Sequence, residues 1–68
     1  MEVEIKKEQK VENKIYFEIV PTDPELKDFF SFGKEVIVDF SDATKIEEER
    51  TKAMEEAKEQ FILLNNQQ

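Results

Sequence analysis

Apolar and polar positions alternate from the start of the chain. Val3 and Ile5 stand between Glu2, Glu4 and Lys6, and the same odd-numbered phase returns at Val11 after the polar positions Lys7 and Gln9. A period of two predicts a strand with one apolar face. Ile15, Phe17 and Ile19 then alternate with Tyr16, Glu18 and Val20, a run rich in β-branched and aromatic residues that predicts a second strand, again with its odd face inward. Glu12-Asn13-Lys14 reads as a three-residue connection with Asn13 for a left-handed turn position, so that Val11 and Ile15 face one side of an antiparallel hairpin.

Pro21-Thr22-Asp23-Pro24 stops the second strand, because proline removes ladder donors and fixes φ. Asp23 before Pro24 reads as a helix cap followed by a first-turn proline, with Gly33 placed to end a short helix through Leu26, Phe29 and Phe30. The rival reading takes Phe30 and Phe32 into a strand that turns at Gly33-Lys34; the cap signals favour the helix. Residues 35–40, EVIVDF, form a strand on either reading, with Val36, Val38 and Phe40 on one face and Ile37 and Asp39 on the other.

Beyond residue 40 the period changes to that of a helix. Thr44-Lys45-Ile46-Glu47 fits a capping box, with Ser41 and Asp42 as alternative caps. Ile46, Ala53, Met54, Ala57, Phe61 and Leu64 fall within an arc of about 100°, the width of a core-facing stripe. Glu48, Glu55 and Glu59 take the opposite side. The resulting order is β-β-(short α)-β-α. It defines an α+β domain over residues 1–64, a small single-layer sheet against one long C-terminal helix, with a frayed polar tail at 65–68.

Length narrows the picture further. A chain of 68 residues makes one domain, and at this size only about 60% of the extended surface is buried. The absence of Cys and His removes disulfides and the common transition-metal ligands. Helix packing and self-association are the remaining supports. MEVEIKK has no basic region leading into an apolar run, and no apolar stretch approaches membrane-spanning length, so a cytoplasmic protein with no membrane contact is expected.

The net charge of −7 is uneven. Residues 1–14 balance, residues 15–40 set 6 acidic against 2 basic side chains, and residues 41–68 set 7 against 4. Such a surface repels phosphate backbones and favours basic protein partners, so direct nucleic-acid binding is not expected. Lys6, Lys10 and Lys14 interleave with Glu2, Glu4, Glu8 and Glu12, a pattern that decorates a wet face or guards an edge strand.

Catalytic chemistry finds little support. Without His or Cys no Ser-His or Cys-His machinery exists, and Ser31 and Ser41 read as loop or capping residues. One glycine, Gly33, excludes phosphate-cradling loops, and Asp39-Phe40-Ser41-Asp42 lacks the spacing of a calcium loop. No enzyme activity, cofactor or metal is expected.

The informative anomaly is FILL, residues 61–64. Phe61 and Leu64 continue the core stripe, but Ile62 falls near about 160° and Leu63 near about 260° from Ile46, on the side that faces water. Tyr16, Val20 and Ile37 are likewise left on the sheet face away from the helix. Either the helix unwinds near residue 62 and folds its last apolar residues over the sheet edge, or an exposed patch marks a contact. Arg50, the sole arginine, lies inside the apolar arc, which calls for a carboxylate such as Asp28 or Asp39, or for an interface role.

The function expected is a non-enzymatic protein-protein interaction module that self-associates, as a homodimer, through Tyr16, Ile37, Ile62 and Leu63, with Arg50 in reserve. The alternative is a nucleic-acid mimic that presents Glu48, Glu55 and Glu59 to a basic site. In size and acidity the chain resembles small phage-encoded inhibitors of host defence, a likeness of composition that extends to no motif and carries over no site residue.

Overall fold

Three strands, β1 (Val3–Val11), β2 (Lys14–Pro21) and β3 (Phe32–Ile37), pair antiparallel in the order β1-β2-β3. One helix, α1 (Ala43–Asn66), follows in the computed structural model, which describes residues 1–66. The α+β architecture is the one the sequence predicts. Of the tail expected at 65–68, Asn65 and Asn66 belong to α1, and Gln67 and Gln68 lie outside the described residues.

β2 is central because its alternation is the cleanest in the chain. Ile15, Phe17 and Ile19 are fully buried against the helix, each contributing roughly 1.5–3 kcal/mol by leaving water. α1 meets them with Ala53 and Ala57, whose small side chains let the helix lie close, and with Phe61; Ile46 and Met54 flank this row half-buried. The predicted stripe therefore faces the sheet, except at Leu64.

β1 departs from its predicted phase. Ile5 pairs with Ile19 but Lys7 pairs with Glu18, so Lys6 is an extra residue, a β-bulge. One inserted residue sends every later side chain to the opposite face. Glu8 and Lys10 thereby pair with the inward-facing Phe17 and Ile15, while Val11, expected in the core, pairs with Lys14 and is exposed. The connection is correspondingly two residues, Glu12-Asn13, and Glu12, with φ of 57°, takes the left-handed position expected of Asn13.

The short helix between β2 and β3 does not form. Residues 24–29 make consecutive turns: Leu26 and Lys27 donate their amide N–H groups to the Asp23 carbonyl, and Phe29 and Phe30 donate theirs to that of Leu26. Asp23 does act at the start, its Oδ1 accepting from Glu25 N at 2.9 Å. So short a segment cannot offset the cost of nucleating a helix unless packing helps. Packing here asks only that Leu26 and Phe30 reach the core. Gly33 ends no helix and makes no turn; it is a β3 residue beneath Tyr16, where a Cβ would stand 2.6 Å from the tyrosine Oη. β3 thus begins three residues earlier than EVIVDF, and Val38 leaves it to donate to the Asn13 carbonyl at 2.9 Å. The predicted faces hold: Val38 is buried, Val36 and Phe40 are half-buried, and Ile37 is exposed.

Asp42 caps α1, accepting from Thr44 N through Oδ1 at 3.0 Å. The helix starts at the hairpin-turn end of the sheet and runs back along it. Its 24 residues span about 36 Å, whereas the 9 residues of β1 span about 30 Å. The helix is longer than the surface it covers, and the whole molecule is drawn out to 42 × 17 × 15 Å.

Candidate interaction site

The overhang falls on the apolar end of the helix. Phe61 is the last residue of α1 to meet the core, where its ring stacks on Phe30 with centroids 5.9 Å apart and planes 25° apart. Past that contact α1 stays helical to Asn66. Ile62, Leu63 and Leu64 are 44%, 56% and 43% exposed. The helix therefore does not unwind at residue 62 to fold its apolar residues over the sheet edge. Phe29, 78% exposed, adjoins Phe30 and so stands at the same end of the molecule. Sequence reasoning missed Phe29, because it read the residue as part of a helix face.

The end of the helix itself carries no charged side chain, although Glu25 stands beside Phe29 and Phe30. Residues 60–68 form the longest stretch of the sequence without a charged side chain, in a chain of net charge −7. Gln60, Asn65 and Asn66 supply amides, each both donor and acceptor. No basic side chain stands in the last turn of α1 to meet the helix carbonyls.

Tyr16 and Ile37, expected to join Ile62 and Leu63, lie elsewhere. They project from the sheet face opposite the helix, toward the hairpin-turn end, whereas Ile62 and Leu63 lie past Phe61 at the other end. Ile37 is 73% exposed across from Lys14; Tyr16 is 37% exposed because it leans over Gly33. Lys7, Gln9, Val11, Glu12, Lys14 and Glu35 complete a shallow trough around Tyr16. Val20 is buried at the sheet's other end, where the segment 22–31 is tied down by a Lys27–Glu4 ion pair of 2.7 Å.

Arg50 is occupied by neither Asp28 nor Asp39. Its Nε and Nη2 donate to Glu8 Oε1 and Oε2 at 2.8 and 3.1 Å, a bidentate pair made possible by the bulge that turns Glu8 toward the helix. The hydrogen bond from Arg50 holds the Glu8 carboxyl below its usual range, and Glu8 in turn raises the guanidinium's pKa. Asp39 accepts instead from the Ser41 hydroxyl at 2.7 Å and the Ser41 amide at 3.0 Å, which lowers its pKa. On the other flank Lys34 reaches Glu56 at 2.7 Å. The two edge strands thus hold α1 by opposite ion pairs, and Arg50 serves the fold. Glu48, Glu55 and Glu59 are all exposed along the helix.

No family model, curated protein or solved structure matches this chain. Among the described residues no helix is long and apolar enough to cross a membrane.

Proposed function

We propose that this chain is a non-enzymatic protein-protein interaction module of the cytoplasm that self-associates and acts by occupying a surface, with the apolar end of α1 as its contact. The observation that carries this reading is three consecutive large aliphatic residues, each more than two-fifths exposed, on a helix that remains intact. The lack of charged side chains along the helix end, residues 60–66, supports a second copy as partner. Two molecules of the same net charge repel least where neither bears a charge, and a patch of aliphatic and amide groups is complementary to itself. Tyr16 and Ile37 belong to a separate face and are not part of this contact.

Sedimentation equilibrium from micromolar to millimolar protein tests the reading, with Leu63→Asp as the variant. The wild type is expected to move from monomer toward dimer mass, and to do so more readily as salt screens the like charges. Leu63→Asp is expected to stay monomeric with its helical circular dichroism unchanged, because Leu63 is not a core residue. A wild type monomeric throughout, or a variant that associates equally well, overturns the reading.

A second reading, a phage-type inhibitor that mimics nucleic acid, is favoured by the exposure of Glu48, Glu55 and Glu59. Their rises along the axis are about 10.5 Å and about 6 Å. Duplex charge is far denser, at one per about 1.7 Å. Capture of a basic nucleic-acid-binding protein that DNA displaces and moderate salt abolishes would favour this reading over the first.

A further inference from the structure

Two lysines without an ion pair among the described residues, Lys7 and Lys10, lie on the longer edge strand of this acidic molecule. β1 pairs only with β2, residues 6–11 are all exposed, and among the described residues no backbone hydrogen bond from outside the sheet reaches them. Both acidic residues within β1 are tied up by cations from elsewhere: Glu4 by Lys27 at 2.7 Å and Glu8 by Arg50 at 2.8 Å. The lysines are not matched in the same way. Lys6 forms a long ion pair with Glu18 at 3.9 Å, but Lys10 lies 5.6 Å over the Phe40 ring, and neither Lys10 nor Lys7 has an ion-pair partner among the described residues. Pairing within the molecule thus leaves two cations, Lys7 and Lys10, in four positions.

We propose that the free edge of β1, from Lys6 to Val11, docks an extended acidic segment of a partner protein, which joins the sheet as a fourth strand. Main-chain hydrogen bonds to the open edge would supply affinity, and alternate side chains of the incoming strand would supply specificity. On the outer face those side chains meet Lys7, Gln9 and Val11, which border the trough around Tyr16. On the helix face they meet Lys10 beside Phe40.

Lysines on an edge ordinarily guard it against pairing, and here the guard selects by charge. A basic segment would set lysines against Lys7 and Lys10, whereas carboxylates neutralise them. Exposed Glu2 and Glu12 bracket the stretch and confine an acidic segment to the positions between. The carboxylates on the outer side of α1 oppose it only weakly. They are separated from the sheet by the helix itself, about 10 Å across, which exceeds the screening length of about 8 Å at physiological ionic strength.

The test is a titration of the ¹⁵N-labelled protein with an acetylated, amidated octapeptide of alternating Glu and Val. Its controls are the same peptide N-methylated at alternate residues, the Lys-Val counterpart and a thymidine oligonucleotide. Saturable amide shifts concentrated in residues 5–11 are expected with the acidic peptide alone, weakened by about tenfold in Lys7→Glu and Lys10→Glu. Both lysines are exposed, so the variants keep the fold, which their circular dichroism verifies. The proposal is overturned if no saturable shift appears at millimolar peptide, if the N-methylated peptide binds equally, if the shifts map to β3, or if the oligonucleotide produces them.

Discussion

Arg50 lies within the apolar arc of α1 yet is not stranded there, because Glu8 meets it with both carboxylate oxygens. More than a third of the arginine side chain remains open to water, so the pair contributes no more than about 0.5–1 kcal/mol. The sign with pH follows from the Glu8 carboxyl, whose folded pKa lies below its unfolded one. Its contribution is complete above the unfolded pKa and is lost as pH falls through the folded pKa. Urea titrations of wild type and Glu8→Gln should therefore differ by that amount at neutral pH and converge in strong acid. A gap that persists in acid would mean that Glu8 acts by packing rather than by charge. Tyr16 offers a second residue-level test, since the chain has one Tyr and no Trp, so that intrinsic fluorescence reports this side chain alone. Gly33→Ala places a Cβ 2.6 Å from the tyrosine Oη, and the ring's free end must swing outward. Acrylamide quenching should rise while stability changes by less than about 1 kcal/mol; unchanged quenching would mean that the strand moves instead.

At the scale of elements, the long helix and the central strand were legible because each obeys one period throughout. What was not legible arises where one residue changes the count. The bulge at Lys6 leaves no signature, since Lys6 and Lys7 are both polar and either phase is acceptable locally; only pairing with β2 reveals it. Val11 consequently read as core and Glu8 as surface, and the true partner of Arg50 was hidden with them. Gly33 misled for a different reason. A lone glycine after an apolar run signals a helix end, but here it makes room for a ring from the neighbouring strand, a contact between residues distant in sequence. The closeness of α1 to β2 has its own test. Ala57 is fully buried over β2, so Ala57→Leu should overpack the layer and cost about 1–3 kcal/mol. That is a substantial part of the roughly 3–10 kcal/mol expected for a domain of this length, and chemical denaturation would show it. Unchanged stability would place a gap between helix and sheet.

For the whole molecule, shape and charge act together. The sheet is shorter than its helix, the unmatched turns are apolar, and these same turns lie in the longest charge-free stretch of an acidic chain. The exposed apolar residues expected to form one patch divide instead between two ends. The sequence carried the excess of apolar groups but not its division, since opposite faces and ends are defined only once strands and helix have paired. Self-association through the helix end is the claim on which the functional account rests, and dilution of the ¹⁵N-labelled protein tests it most directly. From millimolar to micromolar concentration, amide shifts should change at residues 60–66 and at Phe29 and Phe30, with the sheet's outer face silent. Shifts that ignore concentration, or that move instead around Val11, Tyr16 and Ile37, would contradict it.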